Sequence, residues 1–135
     1  MNRMQTIGVV FLRVAVAAMM VIHGVTRLRN GTVGEFGEFL TQNHIPTGAA
    51  FAWVLTGMEI VGGLTLAAGF LVVWLCAWFA VQLVVGIVLV HYKQGWFVVG
   101  AGTGGMEYSV LLIAGFLSVA LTHWPQKREW WQPKH

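Results

Sequence analysis

The chain alternates between long apolar runs and short polar breaks. Four runs stand out: about Thr6 to Leu28, Ala49 to Phe70, Val72 to Tyr92 and Met106 to Thr122. A helix needs about 20 residues at 1.5 Å rise to cross about 30 Å of hydrocarbon, so each run is close to one span. The second and third are nearly continuous. Gly69 is the expected break, because a glycine takes the positive φ of a helix C-terminus without strain. One helix of more than 40 residues would be far too long for a single crossing. The pattern therefore predicts an all-α fold, a four-helix transmembrane up-down bundle joined by short loops, which satisfies every backbone group within lipid. Residues 1–135 form one domain in this reading, with a basic, tryptophan-rich tail over 123–135.

Composition agrees. Of 135 residues, 57% are hydrophobic and 10% charged, and mean hydropathy is +0.71. Soluble domains carry about 25% charged residues, so the deficit points to lipid as part of the solvent. The formal charge is +3. No Lys/Arg run interleaves with aromatics as a nucleic-acid surface would need, so nucleic acid is excluded and anionic headgroups become the expected counterpart. Cys76 is the one cysteine, which rules out an internal disulfide. Arg13 interrupts the first run and HGVTRLRNG follows it, so the run reads as a retained helix instead of a cleaved signal peptide.

Both termini share one side of a four-span protein. That side carries Arg3, Lys127, Arg128 and Lys134, against Arg27, Arg29 and Lys93 opposite. The positive-inside rule favours cytoplasmic termini by one residue, as in a bacterial inner membrane. Trp124, Trp130 and Trp131 beside Lys127 and Arg128 look like an interfacial anchor.

Few polar residues lie in or beside the runs: Arg13, His23, Glu59, Gln82, His91 and Glu107. A charge at mid-bilayer costs about 2.5 to 3.5 kcal/mol on insertion scales, so such groups face the bundle interior and find partners. Glu59 and Arg13 both lie near the middle of their runs, which predicts an intramembrane Arg13–Glu59 ion pair. The pair could lock helix register, or Glu59 could line a polar cavity and handle a proton. Thr56 and Gly63 share the face of Glu59 and suit either close packing or a cavity wall.

A second group is expected at the surface opposite the termini. It consists of His23, Arg27, His91 and Glu107, one residue set drawn from the ends of three spans. Each has a bland role: a helix first turn favours Glu107, and span-end histidines sit among headgroups. Together they could relay protons or bind the oxygens of a quinone. A metal or a haem is disfavoured, since three separate helices give no ligand spacing. Gln82 is nine residues from His91 and so on the opposite helix face; it reads as an interhelical hydrogen bond.

GAGTGG, Gly100 to Gly105, is similar to a phosphate-binding loop, but no Lys-Ser/Thr follows it and no strand precedes it. It reads as a non-helical segment holding Trp96 and Phe97 at the interface. The scattered methionines read as packing, and no nucleophile–base pair is visible.

In order and spacing, IHGVTRLRNG, IPTGAAFAWVLTGMEIVGGLTLAAGF, HYKQGWF and GGMEYSVLL resemble the DoxX family of small four-helix membrane proteins, over about residues 7 to 122. By that resemblance Glu59 corresponds to the family's second-helix glutamate. Gly24 and Arg27 correspond to its HG…K region, with Arg in the place of the usual Lys. Glu107 corresponds to the glutamate opening the last helix. Val72 and Val73 stand where the family usually has a Thr-Arg pair. The resemblance implies kinship with subunits of thiosulfate:quinone oxidoreductase and with membrane partners of thiol-redox complexes.

Three functions are therefore open: a membrane subunit of a quinone-linked oxidoreductase, a non-catalytic scaffold or assembly partner, and a small-solute or proton transporter. The lack of a flavin or dinucleotide fingerprint means that redox activity would need a partner subunit. A second copy of the chain is also open as a partner.

Overall fold

A computed structural model describes residues 1–125, and these are helical for most of their length. Helix α1 spans Arg3–Arg29, α2 Val33–Gln42, α3 Gly48–Ala68, α4 Val72–Gln94 and α5 Glu107–Thr122. Helices α1, α3 and α4 are long and apolar enough to cross a membrane, whereas α5 is shorter. At 16 residues, α5 is about 24 Å long at 1.5 Å per residue.

The spans follow the hydrophobic pattern closely. Asn2 caps α1 reciprocally with Gln5: each side chain takes the other's backbone N–H at 2.9 Å, the capping-box solution to orphan donors. Gly69 ends α3 at φ +91, and its N–H and that of Phe70 close back on Leu66 and Thr65. Helix α4 begins three residues later. The anticipated break at Gly69 is therefore the break found.

Helix α2 was not anticipated; the reading of short loops between four helices misses it. Its sequence, VGEFGEFLTQ, contains two glycines and two glutamates and is too short to span. Val33, Gly37 and Leu40 are nevertheless buried at i, i+4 and i+7, one face of an amphipathic helix. Gly37 lets α2 lie close to α3, where an added Cβ would come within 2.8 Å of Ala49 Cα.

Two apolar clusters result. The larger joins Val16, Ala17 and Met20 of α1 with Leu66, Leu75, Phe79, Leu112, Phe116 and Val119. The smaller joins Val33 and Leu40 of α2 with Ala52 of α3. Lipid tails are as apolar as leucine, so van der Waals fit must hold such helices together. Small residues supply it. A Cβ on Gly63 would meet Val21 at 2.6 Å, and one on Gly115 would meet Val16 at 2.8 Å. Phe11, Trp74, Val81, Leu111 and Leu121 point outward and stay exposed.

Helix α1 is offset along α3. Gly24 near its end packs on Thr56, Glu59 and Ile60, while Arg13 lies beside Gly69 at the end of α3. Helix α1 thus ends at Arg29, five residues past its contact with the middle of α3, and α2 covers the first turns of α3 around Gly48, Ala49 and Ala52. Residues 126–135, with Lys127, Arg128, Trp130, Trp131 and Lys134 of the expected anchor, lie outside the described residues; Trp124 is exposed.

Candidate functional site

A polar layer lies between the two apolar clusters. At its centre is Glu59, 2% exposed. It sits in a π-helical turn, Met58–Gly62, within α3. Such turns loosen the i→i−4 ladder and recur at functional sites. A second π-turn, Ile87–His91, interrupts α4.

Glu59 is held by Arg27. Nη1 of Arg27 donates to Oε2 at 2.7 Å and Nη2 to Oε1 at 3.4 Å. This two-pronged contact is the strong form of an ion pair. Arg27 Nη1 also donates to Thr56 Oγ1 at 3.1 Å, while that hydroxyl gives its own hydrogen to Ala52 O at 2.7 Å. The guanidinium lies over the Phe36 ring, 4.2 Å from its centroid, a cation–π contact supplied by α2. Gln82 of α4 donates its Nε2 hydrogen to Glu59 Oε1. Its own Oε1 is buried without a partner among the described residues. Helices α1, α3 and α4 therefore meet at one carboxylate, and α2 backs its arginine partner.

The expected Arg13–Glu59 pair does not form. The offset of α1 is the reason: a similar position within two helices gives a similar depth only if their ends are level. Gly24, not Arg13, is opposite Glu59. Without a side chain there, α1 and α3 approach closely, and Arg27, one turn on along the same face, reaches the carboxylate. Arg13 instead donates to Ala67 O at 3.4 Å and contacts His123 Nε2 at 3.2 Å. Its Nε is buried without a partner among the described residues.

The expected surface group is also divided. His91 Nδ1 lies 2.7 Å from Gly104 O. Glu107 Oε1 accepts the N–H of Val98 at 2.9 Å. Both brace the 95–106 loop, which folds back through bonds such as Met106 N–H to Gly95 O and Glu107 N–H to Trp96 O. His23 lies elsewhere, in a cleft of about 340 Å³ lined by Ile22, His23, Thr26, Arg27, Asn30 and Thr32. No hydrogen bond joins His23, His91 and Glu107 among the described residues. Arg27 thus belongs to both places: it holds the buried glutamate and lines the cleft beside His23.

Two participants carried weak signals in the sequence. Gln82 was expected to make an interhelical hydrogen bond and makes one, but its acceptor is Glu59 itself. Phe36 lies on the helix that was missed. Among the described residues no group of three or more His, Cys, Asp or Glu could hold a metal ion.

The DoxX family model matches residues 8–92, which include His23, Gly24, Arg27, Thr56, Glu59, Gln82 and His91. Glu107 and His123 lie beyond the match. No curated protein and no solved structure matches the chain.

Proposed function

The chain belongs to the DoxX family and is an integral membrane protein; from that premise we propose that it is the membrane subunit of a quinone-linked oxidoreductase. In this reading α1, α3, α4 and α5 cross the bilayer up and down, with the termini in the cytoplasm. The short α5 is accommodated by tilt and local thinning. The observation that carries the proposal is Arg27, which joins a buried carboxylate to an accessible cleft.

The donors fit a quinone head. A quinone presents two carbonyl acceptors on a flat, apolar ring. The cleft is lined by the Arg27 side chain, the His23 ring and the Asn30 amide beside apolar Ile22. Its volume lies within the usual range for small-ligand sites, about 300–1,000 Å³. When bound, a quinone would accept two electrons and two protons. The His23 ring lines the cleft and is the group placed to pass protons there. Glu59 holds the Arg27 guanidinium at the inner wall of the cleft and neutralises its charge within the protein. The electrons would come from a partner subunit.

A lipid extract of the purified, detergent-solubilised protein tests this. Quinone should co-purify, and Arg27→Gln should lower its content. A wild-type extract with no quinone above the membrane background would remove the proposal. One observation favours a second reading, a scaffold: Glu59 is closed off, with both oxygens engaged by Arg27 and Gln82. In that case Glu59→Gln weakens stability and partner capture together, with no separate redox defect.

A further inference from the structure

Arg13 lies apart from this site, where α1 passes the α3–α4 turn and the end of α5. It is half-buried. Its two contacts, Ala67 O and His123 Nε2, carry no negative charge. The ring of His123 is oriented from its other side: Nδ1 lies 2.9 Å from Val119 O. A carbonyl can only accept, so Nδ1 bears the hydrogen and Nε2 receives one from Arg13. His123 therefore orients Arg13 without neutralising it. The sole ion pair among the described residues is Arg27–Glu59. Arg13 Nε is shielded and has no partner among the described residues. A cation beside the apolar ends of membrane helices attracts an anionic headgroup.

The surroundings match one. Gly69 leaves the flank of the guanidinium bare, since a Cβ there would stand 3.2 Å from Nη1 and Nη2. A cleft of about 450 Å³ adjoins, lined by Gly69, Leu71, Val72, Trp74, His123 and Trp124 among others; Arg13 is not in its lining and meets its edge through Gly69 and His123, which both touch the guanidinium. Leu71, Trp74 and Trp124 are exposed. The place is where α3 and α5 end and α4 begins, the level at which headgroups meet chains. Apolar walls with a tryptophan rim suit the root of an acyl chain, and a guanidinium fork suits a phosphate.

We propose that Arg13, steadied by His123, binds the phosphate of an anionic phospholipid in the cleft at the α3–α4 turn. The test uses the full chain in detergent, with phosphatidylglycerol, phosphatidylcholine or soluble glycerol 3-phosphate added. Phosphatidylglycerol should raise the thermal midpoint and remain bound in native mass spectra, and the other two should do neither. Arg13→Gln should abolish both effects. Should that variant fail to fold, Arg13→Lys keeps the charge but loses the fork and should retain about tenfold less lipid. Unchanged retention in either variant overturns the assignment. An equal shift with phosphatidylcholine overturns it too, and so does a shift with glycerol 3-phosphate, which would mark a soluble anion as the ligand. Glu129 lies in the tail outside the described residues. If phosphatidylglycerol acts only on Glu129→Gln and not on the wild type, the anion is internal and the lipid site is refuted.

Discussion

Arg27, in the last turn of α1, grips Glu59, in the middle of α3, with Nη1 2.7 Å from Oε2. Removing one partner strands a charge inside the bundle. Arg27→Met should destabilise by about 3–5 kcal/mol, read as a fall in the detergent unfolding midpoint. Arg27→Met combined with Glu59→Gln should regain part of that loss. A double-mutant cycle between Arg13 and Glu59 should give coupling near zero; strong coupling would place Arg13 at Glu59 after all.

Gly24 sets the distance at which that grip works. An added Cβ would fall 2.9 Å from Glu59 Cβ and 3.0 Å from Thr56 O. Gly24→Ala should cost about 1–3 kcal/mol by overpacking. Gly8 has nothing within 4 Å, so Gly8→Ala should be neutral or slightly stabilising through helix propensity. Equal midpoints for the two variants would contradict the close α1–α3 contact.

Gln82 offers one hydrogen to Glu59 and leaves its oxygen unused. Gln82→Leu loses a bond and removes a stranded acceptor together. The net cost should be small, about 0.5–1.5 kcal/mol. A loss as large as that of Arg27→Met would mean that Gln82, not Arg27, is the main support of the carboxylate.

Glu107 acts on the loop before α5. Its Oε1 takes the Val98 N–H, and glutamine keeps an oxygen there. Hydrogen exchange over residues 95–106 should therefore quicken in Glu107→Ala and stay near wild type in Glu107→Gln. Matching acceleration in both would show that the charge, not the acceptor, matters.

The spans were legible because lipid imposes a length, and the turn because glycine alone takes φ +91 cheaply at Gly69. Glu59 was legible because a lone carboxylate in an apolar run must have a partner. The identity of that partner was not. Periodicity gives the face of a helix but not how far one helix slides along another; that shift is set by small-residue contacts such as Gly24 on Glu59 and Gly63 on Val21. Helix α2 escaped because its buried stripe includes Gly37, which carries no hydrophobic signal. His91 and Glu107 do lie near helix ends, yet each is engaged by the intervening loop, whose fold rests on backbone bonds that sequence patterns do not encode.

The early end of α1 has an electrical consequence. Helix α3 begins at Gly48, whereas Gly24 of α1 lies opposite Thr56 and Glu59 and α1 ends only five residues later at Arg29, so Asn30, Thr32 and the cleft beside them lie below the start of α3. Water following these polar groups would carry the aqueous potential inward, and the membrane voltage would fall mainly across the larger apolar cluster beneath. A proton reaching Glu59 from the cleft would then have moved through part of the field. A full crossing is worth about 2.3 kcal/mol per charge at 100 mV, so roughly half a crossing is worth about 1 kcal/mol, and occupancy of this site would respond to the energised state of the membrane.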